Sequence, residues 1–322
     1  MTPGYLARKV GALLLTLLAV LTFNFLLFHV LPGDPVRLMA RSGHLDPQAA
    51  AQLRSLFGLD HSLPVQFLIY LGDIAHGNLG FSFAYRAPVT SVVGPALLNT
   101  ILLLGVATLI TIVVGVIVGV IAGTRAHSKT DSSVVTTSLV LWSLPTFWTG
   151  MILLILVGVW LQVLPLSGIS TPGYQFSTWG QIEDTSRHLI LPALTLVLVN
   201  VAEFVLITRS SLIDVMTEDY MVTARAKGLK RRVIVWRHAV RNALLPVTTA
   251  TALYIGMVLG GAIEVETVFS WPGMGLLTYN SVLQRDYPVL EASFLIFTIG
   301  VILTNFVADL LYRAMDPRVR QA

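Results

Sequence analysis

The chain has 322 residues, 55% of them hydrophobic and only 12% charged, with a net charge of +4 and no cysteine. Ordinary soluble domains carry about 25% charged residues, so this composition excludes a simple soluble core. The absent thiol excludes disulfides, thiol catalysis and cysteine-ligated metals.

The apolar residues stand in blocks rather than stripes, and an uncharged run of about 18 residues suffices for a helix across roughly 30 Å of hydrocarbon. Six spans are predicted, making the chain an all-α integral membrane protein. The first, 10–31, follows Arg8 and Lys9 and runs uncharged from Val10 to Leu31. It exceeds the usual signal-peptide core of about 7–15 residues and no small-residue cleavage site follows, so it is read as a retained helix. Residues 32–96 form a polar segment punctuated by Pro32-Gly33-Asp34-Pro35, Gly72, Gly77 and Gly80, with helix potential over 47–71. Spans at 97–122 and 134–163 come next, the latter holding Pro145 and Gly150. Proline removes a backbone donor and is expected to kink that span. The fourth span, 189–208, leads into a basic segment, 209–242, too polar to enter the membrane. Spans at 243–263 and 289–312 and a tail at 313–322 complete the chain. Residues 97–312 thus form a five-helix core that includes the 209–242 loop. No internal repeat is visible.

Lys and Arg set the orientation. With the N-terminus cytoplasmic, fifteen of the 21 fall inside, eight of them between Arg209 and Arg241. Four of the remaining six lie in the long 32–96 loop, where the bias counts least. Both termini are therefore expected in the cytoplasm. The positive charge is explained by topology rather than by nucleic acid.

Within 209–242, acidic Glu218 and Asp219 and the following Gly228 mark the start and stop of a short helix of about ten residues. Asp219 is the expected N-cap. Ala224, Ala226 and Gly228 are small enough for another backbone to approach. A short exposed helix between two spans buries little alone and suits a partner's groove. Lys230, Arg231 and Arg232 are read as topogenic charges only.

Asp219-Tyr220 followed by Thr223-Ala224-Arg225-Ala226-Lys227-Gly228, then Arg241-Asn242-Ala243 and Leu245-Pro246, resembles the cytoplasmic loop of ATP-binding-cassette importer permeases. More narrowly it is similar to the first permease subunit of dipeptide, oligopeptide and nickel importers. Further likeness lies in Leu31-Pro32-Gly33-Asp34-Pro35, Gly58-Leu59-Asp60, Gly77-Asn78-Leu79-Gly80-Phe81-Ser82, Gly260-Gly261-Ala262 with Glu266-Thr267-Val268-Phe269-Ser270-Trp271-Pro272-Gly273-Met274-Gly275, and Asp309-Leu310-Leu311-Tyr312 with Asp316-Pro317-Arg318. Val222 stands where the family usually has Arg, and Asn78 where it has Asp. The resemblance implies a type I importer permease fold in the bacterial inner membrane. It also implies a second homologous permease, two ATP-binding subunits carrying ATP and Mg, and an extracytoplasmic solute-binding protein. The 219–228 helix would couple to one ATPase. The chain itself has no phosphate loop of the G-x-x-x-x-G-K-[ST] type and is expected to bind no cofactor or metal. The cargo is expected to be a peptide, with nickel or another small solute as the alternative.

Glu203 in the fourth span and Asp309 in the sixth are intramembrane carboxylates, functional candidates by default. Both lie near the expected cytoplasmic end, and Asp309 is four residues before Arg313. Gly256, Gly260 and Gly261 thin one side of the fifth span and serve either helix packing or a pore. Glu264 and Glu266 are expected just outside the membrane, meeting a cationic ligand or solvent. The seven histidines have no close ligand spacing. A rival reading, an intramembrane serine protease, rests on Ser167-Gly168 and His188, but Ser167 belongs to a proline-flanked loop.

Overall fold

The computed structural model describes residues 3–30, 61–174, 177–258 and 262–315. The chain divides into two compact units, Met1–Leu97 with Leu277–Ile302, and Leu98–Leu276 with Leu303–Ala322.

In the first unit, α1 (Pro3–Phe25) continues through a wider-wound turn, Leu26–Val30. Its Phe25 ring meets Phe67 and Tyr70 of α2 (Leu63–Ala75), at centroid distances of 5.2 and 5.6 Å. Helix α2 has Pro64 in its first turn, where the missing N–H costs nothing, and it ends at Ala75, beyond the expected end at 71. Residues 47–60 lie outside the described set. A two-strand hairpin, β1 (Phe81–Ser82) and β2 (Ala87–Pro88), pairs Phe81 with Pro88. The buried Ser82 hydroxyl donates to the Asp286 carboxylate and accepts from the Tyr85 N–H.

The second unit is organised around two long helices. Helix α3 (Val89–Gly123), whose residues from Leu98 onward belong here, has 35 residues, and α6 (Thr178–Met216) has 39. At about 1.5 Å per residue both exceed the roughly 30 Å of hydrocarbon. Between them, α4 (Lys129–Trp142) and α5 (Thr146–Leu153), the latter continuing to Trp160, meet at an angle of 101°. Pro145 takes an extended conformation and caps α5. The expected kink is therefore a full break over Ser143–Pro145. Ser128 caps α4, accepting from the Asp131 N–H at 3.2 Å, and Ser177 caps α6.

A short helix α7 (Asp219–Ala226) follows α6, and turns over Arg231–Val233 and Ile234–Ala239 lead into α8 (Val240–Val258). Two shorter helices, α9 (Ile263–Val268) and α10 (Met274–Gln284), come before α11 (Tyr287–Met315). One core gathers Leu103, Leu191, Val265, Phe269 and Trp271, and a second gathers Val120, Leu212, Met221, Ile234 and Val240.

Four described helices are long and apolar enough to cross a membrane: Arg8–Phe28, Val89–Gly123, Thr178–Met216 and Tyr287–Phe306. The bent pair makes five if it is one span. The count expected from the sequence was six. Helix α8, with Arg241 and Asn242 in its first turn, is not among them. Leu98, Leu109 and Leu303 remain more than half exposed, as expected of side chains that face lipid.

Candidate functional site

Helix α7 carries the residues singled out as a docking motif. Its N-cap is Glu218 rather than Asp219, which is the first helical residue, and no side chain closes the cap. The helix has eight residues and ends where Gly228 adopts φ +72°. That left-handed conformation closes helix ends and strains any residue with a Cβ. A Cβ built there meets nothing within 4 Å, so the conformation alone selects glycine.

The two faces of α7 differ. Met221 and Ala224 point inward, Met221 without any exposure, into the core with Val120, Leu212, Ile234 and Val240. Ala224 therefore packs inside its own chain, where a docking contact had been expected. Asp219, Tyr220, Val222, Thr223, Arg225, Ala226 and Lys227 are exposed. Val222 is 58% exposed, an apolar side chain on a polar segment. The Arg225 guanidinium donates to the Met216 carbonyl at 3.1 Å, satisfying an orphan acceptor at the C-terminus of α6. Asn242 donates to the Tyr220 hydroxyl at 2.8 Å, which ties the two separated pieces of the sequence motif together.

One turn-rich junction supports this segment. Arg209 of α6 grips Asp131 of α4 with both ends of its fork, Nε to Oδ1 at 2.5 Å and Nη2 to Oδ2 at 2.8 Å. The Asp131 side chain is 4% exposed and also accepts from the His127 N–H at 2.8 Å. Beside it Gly115, Gly119 and Gly123 of α3 lie directly on Phe204, Thr208 and Leu212 of α6. A Cβ on Gly119 would sit 2.6 Å from that of Thr208 and 2.8 Å from the Val205 carbonyl. The G-x-x-x-G-x-x-x-G spacing, absent from the sequence reading, was the available signal.

The pathway candidates are dispersed. Glu203 is half-buried on α6, next in sequence to Phe204, whose ring meets Tyr254 of α8 edge-on at 5.3 Å. Gly256 lies near the end of α8, while Gly260 and Gly261 fall outside the described residues. Asp309 lies on α11, and Glu264 is exposed on α9. Glu266 is wholly buried, where the sequence pointed to a cationic ligand or solvent. It accepts from the Thr100 hydroxyl at 2.7 Å and from the N–H groups of Gly275 and Leu276 at 2.7 and 3.0 Å. Thr100 in turn accepts from the Met274 N–H. The carboxylate thus caps α10, at the end where a helix favours negative charge. Any Cβ on Gly273 would collide with it. Trp271 closes the cluster, its indole donating to the Asn99 carbonyl at 3.0 Å.

His188 is buried, with Nδ1 at 2.8 Å from the Asp184 carbonyl, whereas Ser167 is exposed in its loop. The described residues hold no cluster of three metal-ligating His, Asp or Glu side chains.

Long apolar helices interrupted by a packed polar segment define a polytopic membrane protein. Residues 115–321 match the family described as "Binding-protein-dependent transport system inner membrane component". Residues 3–103 match the description of the N-terminal part of such components. Relatives include the dipeptide transport system permease protein DppB of Escherichia coli strain K12, 38% identical over 333 aligned residues and 98% of each chain. The oligopeptide transport system permease protein AppB of Bacillus subtilis strain 168 is 36% identical, over 98% of this chain and 99% of its own. The glutathione transport system permease protein GsiC of Salmonella typhi is 38% identical with the same coverage. Among solved structures, the inward-facing MetNI methionine ABC transporter shares the fold at a TM-score of 0.57. Its identity is 16%, covering 70% of this chain and 97% of its own. The chain belongs to the binding-protein-dependent permeases, the membrane subunits of ATP-binding-cassette importers. It is a multi-pass inner-membrane transport subunit, not an enzyme.

Proposed function

We propose that the chain is one of two homologous permeases that form the translocation pathway of a bacterial peptide importer, with both termini and α7 in the cytoplasm. Residues 97–312 carry the core of that pathway, and Glu203, Gly256, Gly260 and Gly261 lie along it. A solute-binding protein delivers the peptide from outside, and two ATPase subunits, holding ATP and Mg, drive the cycle. The peptide cargo is supported by the dipeptide, oligopeptide and glutathione names of relatives aligned over nearly the whole chain.

The observation that carries the reading is the two-faced character of α7. Met221 and Ala224 fix it to the core, while Tyr220 and Val222 present 40% and 58% of their surface outward. An apolar pair held out on a rigid, otherwise polar helix fits a groove in an ATPase. Two variants test it in the purified complex. Val222→Asp alters a side chain that is 58% exposed, and Gly228→Trp adds about 1–3 kcal/mol of backbone strain at the cap. Each variant should insert and pair with the sister permease yet fail to retain the ATPase or to show binding-protein-stimulated hydrolysis. Wild-type association and transport by both would defeat the assignment.

A further inference from the structure

We propose that the Asp131–Arg209 ion pair is the clamp through which movement of α7 reaches the α4–α5 elbow, which makes the two residues positioning residues for coupled transport. The inference rests on the reading of α7 as the coupling helix.

Helix α7 cannot move alone. Arg225 binds it to the last turn of α6, and Met221 sits in one core with Leu212 of α6 and Val120 of α3. Seven residues before the end of α6, Arg209 lies where three helices meet. Its side chain holds α4 through Asp131, and its carbonyl lies where a Cβ on Gly123 of α3 would be 3.2 Å away. The next break in α4 is the 101° turn at Ser143–Pro145, beyond which α5 packs on α6 and on α9. A displacement of the α6–α7 end therefore rotates α4 as well, provided the clamp transmits direction.

The chemistry of the pair favours that role over a purely cohesive one. With Asp131 buried and Arg209 half-buried, the pair is poor cement, because desolvation of the carboxylate offsets its attraction and apolar residues of similar volume hold helices as well. What the bidentate fork adds is angle, since two parallel hydrogen bonds fix the rotation of one helix against another. The His127 N–H, on a residue with φ +64°, donates to Oδ2, the same oxygen that takes the Arg209 Nη2 bond, and so adds a third hold on the carboxylate.

The test separates transmission from cohesion. The double variant Asp131→Leu/Arg209→Met keeps an apolar contact and removes the fork, and Asp131→Asn keeps the shape and removes the charge. Both go into the full complex with its ATPases and binding protein. Melting temperature, ATPase co-purification and peptide transported per ATP hydrolysed are measured. The expected result is wild-type melting and assembly for the double variant, with transport per ATP reduced about tenfold. Asp131→Asn should show the same uncoupling in weaker form. Normal transport per ATP in the double variant would overturn the proposal. So would loss of assembly in both variants, which would assign the pair to folding. Gly228→Trp, run in parallel, keeps the two readings apart. If it and Val222→Asp both transport normally, the α7 assignment falls. If it uncouples while the clamp variants do not, only the clamp falls.

Discussion

The Glu266 carboxylate accepts from Thr100, Gly275 and Leu276 in a site with no solvent exposure. Burial raises its pKa above the ordinary 4.5, and the three hydrogen bonds pull the other way. The folded chain therefore holds this proton more tightly than the unfolded chain does. The stability it supplies is complete below pH 4.5 and is lost as the pH rises through the higher folded value. Melting of the detergent-purified protein through that window should decline with pH, and Glu266→Gln should lack this component. Glu266→Ala strands three buried donors at about 1–3 kcal/mol each and should cost at least about 3 kcal/mol. A pH-independent difference between wild type and Gln, or a harmless Ala, would show that the cap is not what holds α10. The stretch from Glu266 to Gly275 was legible as a motif. Its purpose was not, because Thr100 and Asn99 come from a helix more than 160 residues earlier.

Helix α3 lies on α6 through Gly115, Gly119 and Gly123, close enough that side chains beyond hydrogen would touch backbone. In lipid there is little hydrophobic drive between helices, so such close approach supplies the van der Waals contact that holds them. Gly119→Leu must separate the two helices or displace Thr208 and the Val205 carbonyl, and should destabilise by about 1–3 kcal/mol or more. Gly105→Leu, on the same helix with open space around its would-be Cβ, is the control and should be neutral. Thermal unfolding of both variants in one detergent decides it. Elements were readable where composition alone creates them: Val10 begins an apolar run, and α1 with its wider-wound continuation follows it to Val30. Their ends were less so. The fourth span was expected at 189–208 but α6 runs from Thr178 to Met216, because polar turns continue a helix once a capping Ser177 starts it. Likewise Pro145 pointed to a bend, but the 101° angle depends on what α4 and α5 each pack against.

At the scale of the whole molecule, orientation is the first thing to test. A chain with no native cysteine gives a clean background for labelling. Cysteines at Ser170 and Gln181, both exposed, should react with an impermeant maleimide in intact cells, whereas one at Lys227 should react only after permeabilisation. The reverse pattern would invert the topology and move α7 to the outside. The sequence by itself determined the membrane class and the family, because these follow from local apolar density and from short motifs read in line. The tertiary structure alone decided which face of α7 is free, that Ala224 is spent inside, that Glu266 is sealed and that Asp131 meets Arg209 across 78 residues. Those outcomes depend on which distant backbone comes within a few ångströms of a side chain, and packing in three dimensions settles that where one-dimensional periodicity cannot.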